Sequence, residues 1–254
     1  MHILVTNDDG VHAPGLLALA QAMRTLGQVT VLAPDRNWSG GGHVKTMERP
    51  LRVRETRLAD GSPALMSDGA PSDCVALALL GVVSEKIDLV VSGINPHPNF
   101  GNDVTYSGTV TAAMEAVIGG VIGIAFSLDS MLPQIQADFG PAGRVAVRVV
   151  QQVLEKGLPP GVLLNVNVPA LPDADIKGFM LTRQGLRLYH DRLDTRRDPR
   201  GQPYYWIGGD FPTGVAEAGT DYGTPALGYV SITPLQLDLT SYKALETLKT
   251  WKWA

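Results

Sequence analysis

From His2 to Thr6 the chain runs through the apolar series Ile3, Leu4 and Val5 and stops at Asn7, Asp8, Asp9 and Gly10. That pattern predicts a short buried strand emptying into a polar turn. Pro14 then sits where a helix can begin without losing a hydrogen bond, and Leu16, Leu17, Leu19, Ala20, Met23 and Leu26 recur at helical spacing up to Gly27. Residues 28–33 read as a second strand. Strand, helix and strand in succession close through a right-handed crossover, so the two strands are parallel and bring their carboxyl ends to one edge.

The second strand empties into residues 34–43, a Gly-rich stretch through which a backbone can approach a ligand closely, although a lid or linker has the same composition. Residues 44–68 look like a small β excursion, an antiparallel hairpin in which Leu51, Val53 and residues 65–67 flank a turn at Asp60 and Gly61. The parallel pattern resumes with a helical stripe in 71–80 (Val75, Leu77, Ala78, Leu79) and a strand at 87–91 that ends in Ser92, Gly93, Ile94 and Asn95. A rigid polar loop, residues 96–103, leads to Ser107, Gly108 and Thr109, directly before an apolar helix at 110–117. A small hydroxyl residue there is a good N-cap, and the first N–H groups of the helix point outward with the positive end of its dipole behind them. The stretch 110–128 is broken by Glu115, Gly119, Gly120 and Gly123, so it reads as helix, turn and strand and not as a membrane span. Residues 214–223 read as loop, and 235–253 as a polar-rich helix with Leu245 and Leu248 on one side.

The expected fold is therefore α/β: a three-layer, doubly wound, mostly parallel sheet of Rossmann-like form, with a C-terminal helical extension. With 44% apolar and 18% charged residues the chain is compact and globular, and its net charge of -4 argues against a nucleic-acid coat or an anionic-membrane binder. Cys74 is the only cysteine, so neither an internal disulfide nor a thiolate metal cage is available, which suits a reducing compartment. No cationic, apolar leader opens the chain, and the expected location is cytoplasmic.

Parallel strands would gather Asp8, Asp9, Ser39, Asn95 and the helix start at Ser107 on one edge of the sheet, where open α/β folds bind ligands. Carboxylate, hydroxyl and amide oxygens are hard donors that suit Mg2+, Mn2+ or Ca2+ better than Zn2+. A hard divalent ion facing an anion-binding helix terminus describes a phosphate site, in which the ion polarises a phosphoryl oxygen and activates water.

These residues resemble the SurE, or survival-protein, nucleotidases. The resemblance is carried by Asn7-Asp8-Asp9-Gly10, by residues 33–37 with Ser39-Gly40, and by Ser92-Gly93-Ile94-Asn95 followed by Asn99 and Gly101. Tyr106-Ser107-Gly108-Thr109-Val110 with Ala112-Ala113, Gly219-Thr220-Asp221 and residues 228–235 continue it, so the motifs span most of the chain in the family's order. The resemblance implies a metal-dependent phosphatase acting on nucleoside 5'-monophosphates, with 3'-monophosphates and short polyphosphate as further substrates. It implies one divalent ion per subunit held by Asp8, Asp9, Ser39 and Asn95, with Asp8, Asp9 and Asn95 catalytic, and substrate held by Ser39, Gly40, Asn99, Ser107, Gly108 and Thr109. It further implies one domain over residues 1–254: a core of about 1–180 plus 215–235, a projecting hairpin at about 183–212 and an assembly helix at about 236–254, in a homodimer or homotetramer. No membrane or stable nucleic-acid partner is expected. Family members usually have glycine where His97 stands, so substrate fit at that loop is the point of difference.

His97, His12 and His43 lie in or beside these loops, and each reads more readily as a solvated side chain than as a proton donor. Arg183, Arg187, Arg192, Arg196, Arg197 and Arg200 form a basic segment, read as a solvated or subunit-contacting arm before a substrate-steering one. Trp251 and Trp253, at the chain end, suggest an interface. Two other functions stand beside the nucleotidase. A haloacid-dehalogenase-like phosphatase wants Asp-x-Asp and not adjacent acids, and a nucleotide-binding sensor would leave Asp8, Asp9 and Asn95 without a task.

Overall fold

A computed structural model describes residues 1–130 and 137–253; residues 131–136 and Ala254, inside the span expected to form one domain, lie outside the described residues. In chain order the elements are β1 (His2–Thr6), α1 (Pro14–Met23), β2 (Gln28–Pro34), β3 (Val53–Arg57), β4 (Pro63–Ser67), α2 (Pro71–Leu77) and β5 (Leu89–Asn95). There follow α3 (Gly108–Ile118), β6 (Ile122–Asp129), α4 (Gly140–Lys156), β7 (Val162–Pro169), β8 (Phe179–Leu181), β9 (Arg187–Arg197), β10 (Pro203–Gly214), β11 (Val230–Gln236) and α5 (Tyr242–Leu248).

Nine strands form one sheet in the order β3-β4-β2-β1-β5-β6-β7-β11-β8, as the α/β expectation requires. From β4 to β7 every neighbour is parallel; β3 runs antiparallel to β4 and β11 to β7, and β8, parallel to β11, shares its reversed direction. The chain leaves β1 for β2 on one side and later returns to β5 on the other, so strand order reverses at β1. Loops leaving the carboxyl ends of β1, β2 and β5 diverge there and leave a crevice.

Strand alternation decides which helix covers which face. Ile3 and Val5 pack with Leu16, Leu19 and Met23 of α1 and with Val145, Val149 and Val150 of α4, whereas Leu4, Leu32 and Val90 face Cys74 and Val75 of α2 and Ala112 of α3. Ile3, Leu4 and Val5 are completely buried, each worth about 1.5–3 kcal/mol relative to exposure, so β1 has apolar cover on both faces.

Several sequence expectations need extending or correcting. The antiparallel hairpin expected around Asp60 and Gly61 forms as β3 and β4, and the structure adds that β4 lies parallel to β2, Leu32 opposite Leu65, so that the excursion widens the main sheet. The strand expected at 87–91 starts at Leu89 and runs on through Ser92, Gly93 and Ile94 to Asn95, its last residue, with the polar loop beginning after it as expected. The helix expected at 71–80 ends at Leu77 and passes into a π-helical turn, Ala78–Val82, in which Gly81 takes φ 115°. The C-terminal helix covers only Tyr242–Leu248, because Leu235 and Gln236 are claimed by β11, paired with β7. Nothing in the sequence reading anticipated α4, β7 or β8. β9 and β10 pair with each other as a two-stranded ribbon separate from the main sheet. Among the described residues no helix is long and apolar enough to cross a membrane.

Candidate active site

The crevice at the carboxyl edge is a cavity of about 680 Å3, lined by Asp8, Asp9, Ser39, Gly40, Asn95, Asn99 and Ser107 among the residues singled out from sequence. Extended backbone would send the adjacent Asp8 and Asp9 to opposite faces. β1 ends at Thr6, however, and the chain bends at both aspartates, so the two carboxylates line the same space. The turn is tied from several sides. Asn7 Nδ2 donates to the Gly10 carbonyl at 3.0 Å, the Val11 N–H to Pro34 at 2.8 Å, and the Trp38 N–H to the Asp8 carbonyl at 2.7 Å.

Gly108 and Thr109 stand behind Asp8 and are not among the cavity-lining residues. Thr109 is fully buried and its hydroxyl donates to the Asp8 carboxylate. A Cβ on Gly108 would lie 2.6 Å from the Asp8 Cβ, so only glycine lets the first turn of α3 approach this carboxylate. Ser107 is the N-cap of α3 and accepts the Val110 N–H at 3.1 Å, which leaves its hydroxyl proton for another acceptor. Asn99 is held from within the sheet. Its N–H donates to Asn167 at 2.8 Å, its side-chain amide donates to Ser127 at 2.8 Å, and its carbonyl accepts from Asn165 and Asn167. Ser39 sits in a turn closed by its own N–H to Asn37 Oδ1 at 2.6 Å, and the Asn95 amide donates to the His97 carbonyl at 2.5 Å.

Electrostatics here are dominated by burial. Desolvation raises the Asp8 pKa against the lowering effects of the Thr109 hydroxyl and of backbone N–H groups that include Thr109 and Gly108. Asp9 is pushed up to about 7, by burial first and then by the charge of Asp8. Two carboxylates so placed cannot both ionise without a compensating cation. The oxygen donors around them, two carboxylates with a hydroxyl and an amide, fit a hard divalent ion. Among the described residues no three His, Cys, Asp or Glu side chains converge, so an ion at this crevice would draw on the hydroxyl and amide oxygens as well as the two carboxylates.

His97 is exposed at the cavity rim, and His12, also exposed, is not among the lining residues. His43 turns away to Glu115, Nε2 to Oε2 2.9 Å. Sequence reasoning missed the other wall. Asp103, Tyr106, Arg187, Phe211 and Pro212 also line the cavity. Arg187, expected within a solvated basic arm, is instead buried. Its guanidinium stacks over Phe100 and Tyr222 at 5.7 and 5.4 Å and pairs with Asp103 at 2.8 Å, while Tyr189 donates to the other Asp103 oxygen at 2.8 Å. Asp221 accepts from the Gly101 and Gly185 N–H groups at 2.8 and 2.7 Å and joins the 96–107 loop to the base of the ribbon. The one local signal for this wall was Phe100-Gly101 followed two residues later by Asp103, which says nothing about its partners more than eighty residues on.

The sequence model for the family described as survival protein SurE matches residues 3–191. A relative from Chloroflexus aggregans named 5'-nucleotidase SurE is 51% identical over the whole of both chains, and one of the same name from Herpetosiphon aurantiacus is 52% identical over 100% of this chain and 99% of its own. The crystal structure of the SurE protein from Aquifex aeolicus superposes with a TM-score of 0.82 at 45% identity, covering 98% of each chain. With the acidic turn at the end of β1, the Gly-rich loop after β2 and the start of α3 meeting at one crevice in a chain this similar throughout, the protein belongs to the SurE family.

Proposed function

We propose that the protein is a hydrolase of the 5'-nucleotidase class, a metal-dependent phosphomonoesterase that releases phosphate from nucleoside 5'-monophosphates. The observation that carries this reading is the convergence of Asp8 and Asp9 with Ser39, Asn95 and Ser107 on one cavity, in a family whose close relatives bear the name 5'-nucleotidase. Asp8, Asp9, Ser39 and Asn95 would hold one divalent ion per subunit, Mg2+ or Mn2+, with Ca2+ a third ion that such oxygen donors accept. When bound, that ion supplies Lewis-acid polarisation of a phosphoryl oxygen and a lowered pKa for coordinated water.

The chain's own residues then divide the work. Asp8, Asp9 and Asn95 act at the reacting centre. Ser107 offers its hydroxyl proton to a phosphate oxygen, and Asn99, immobilised by four hydrogen bonds within the sheet, presents a fixed polar group beside it. Ser39 and Gly40 bring the Gly-rich loop against the substrate. Gly108 and Thr109 serve phosphate binding through the start of α3, and the Thr109 hydroxyl holds Asp8 in place.

The test is a panel of nucleoside 5'- and 3'-monophosphates and short polyphosphates assayed with Mg2+, with Mn2+ and with EDTA. Hydrolysis of 5'-monophosphates that stops on chelation and returns with added ion is the expected outcome. Undiminished turnover after exhaustive chelation would sink the metal assignment, and binding without turnover would leave a sensor.

The same reading extends to assembly as a homodimer or homotetramer. Trp206, Ile207 and Phe211 on the ribbon and Trp251 and Trp253 at the tail are more than half exposed, a larger apolar display than a monomer sustains. Light scattering should report a multiple of 27.1 kDa at micromolar concentration; a monomer mass alone would refute the assembly.

A further inference from the structure

The carboxyl edge of the sheet carries a second concavity, opposite in charge to the first. It holds about 310 Å3 and is lined by Arg36, Arg49, Arg52 and Arg54 together with Asp35 and Asp68. Topology puts these residues together. β2 and β4 run parallel and end side by side, Pro34 against Ser67, while β3 runs the other way, so its first residue, Val53, also stands opposite Ser67. Arg52 and Arg54 flank Val53, which packs against the apolar core, so alternation along extended chain sends both guanidiniums away from that core.

Four guanidiniums against two carboxylates leave an excess of two positive charges. The carboxylates are already engaged. Asp68 accepts from Arg49 at 3.1 Å and from the Arg52 N–H at 2.9 Å, and Asp35 lies 3.7 Å from Arg36. Among the described residues neither the Arg52 nor the Arg54 guanidinium forms a salt bridge. Two of the four side chains are preordered, Arg36 by lying over Trp38 at 5.4 Å and Arg49 by donating to the Asp68 carbonyl at 2.6 Å. Like charges gathered in one concavity repel unless an anion joins them, and the guanidinium fork matches the oxygens of a phosphoryl group. A single phosphoryl group has too few oxygens for four forks, whereas two or three in a row supply enough acceptors and fit the room.

We propose that this concavity is a binding site for condensed phosphate, either a free oligophosphate or the phosphate chain of a nucleoside triphosphate. It is separate from the acidic cavity, with residues 35–39 running between the two: Arg36 faces the basic side, while the Trp38 N–H is bonded to Asp8 on the other.

Calorimetric titration with inorganic tripolyphosphate, in EDTA so that no divalent ion bridges ligand and protein, tests the proposal. One tripolyphosphate should bind per chain, and Arg52→Ala/Arg54→Ala should weaken it roughly tenfold or more, since two charge-assisted contacts are lost. Arg52→Lys/Arg54→Lys, which keeps the charge without the fork, should lose part of the affinity and decides the matter if the alanine pair fails to fold. Arg192→Ala/Arg200→Ala, which removes equal charge from the ribbon, should leave the Kd within about twofold. A nucleoside triphosphate that binds equally well, with the same dependence on Arg52 and Arg54, assigns the nucleotide chain; tripolyphosphate alone assigns the free oligomer. Hydrolysis of nucleoside monophosphates by the alanine pair should match wild type, so a failure of the nucleotidase reading would not disturb this result. Equal losses in the ribbon variant, orthophosphate binding as tightly as tripolyphosphate, or no heat at millimolar tripolyphosphate would overturn the site.

Discussion

At the scale of single residues, the contact that most constrains the site is Gly108 against Asp8. Alanine is ordinarily favoured over glycine in a helix by about 1 kcal/mol, yet here its methyl carbon would stand 2.6 Å from the Asp8 Cβ and 3.0 Å from Oδ2. Gly108→Ala should therefore keep the helix content while Mn2+ affinity and turnover fall together, roughly tenfold or more, because the displaced carboxylate no longer meets its partners. Ser107→Ala should separate the two readouts. It loses the cap of α3, about 1 kcal/mol of stability, and one phosphate contact, but keeps the ion. Calorimetry with Mn2+ beside a phosphate-release assay checks both variants, and a Gly108→Ala protein that binds the ion as tightly as wild type would place the cation elsewhere. The aspartates were legible in sequence because two adjacent acids at a strand end are a local pattern. The demand for glycine at 108 was not, since the atom that requires it belongs to a residue a hundred positions earlier.

At the scale of elements, the Gly-rich loop after β2 is strapped to α3 by a buried acid. Glu115, in the second half of that helix, accepts from His43 at 2.9 Å and from Lys45 at 3.0 Å; Thr111 donates to the Gly42 carbonyl at 3.1 Å, and the Gly42 N–H bonds Tyr106 at 2.9 Å. Loop and helix thus carry Ser39 and Ser107 as one unit. Glu115→Ala should cost only about 1–2 kcal/mol of stability, less than a fully buried pair, because Lys45 and His43 are partly in solvent. Its main effect should be local: faster hydrogen exchange in residues 39–46 and a higher KM with a smaller change in kcat. Unchanged exchange in that loop would show that Gly42 and Thr111 alone hold it. In the sequence Glu115 reads only as an interruption of an apolar stretch, because its partners lie about seventy residues away.

At the scale of the whole molecule, buried acids set the response to pH. Asp9 is raised to about 7, by burial and then by Asp8, and Asp129 to about 6 by burial against the opposing charge of Arg187; burial also raises Asp8 and Asp221. Unfolded, these groups release their protons near pH 4. Between about pH 4 and 7 the folded chain therefore binds more protons than the unfolded one, and the stability of the chelated protein falls as pH rises through that window. A divalent ion held by Asp8 and Asp9, as proposed, would oppose this slope by favouring their ionised forms. Melting curves at pH 5 to 8 should show the transition temperature declining in EDTA, and the gap between Mg2+ and EDTA samples widening with pH. A gap that did not depend on pH would separate the ion from these two carboxylates.

What the sequence determined by itself was whatever rests on near neighbours along the chain. The apolar run of β1, the helical spacing of α1, the crossover that makes β1 and β2 parallel, and the polar residues at strand ends are all consequences of backbone geometry and local alternation. They were enough to place Asp8, Asp9, Ser39, Asn95 and Ser107 on one edge. Tertiary structure decided what depends on distant partners. It bent the chain after Thr6 so that both aspartates face one cavity, buried Arg187 against Asp103, Phe100 and Tyr222 to form the far wall, and gave the first turn of α3 to Asp8. Charge and polarity are written in each residue, but whether a charge meets water, a partner or another charge is settled only when the chain closes on itself.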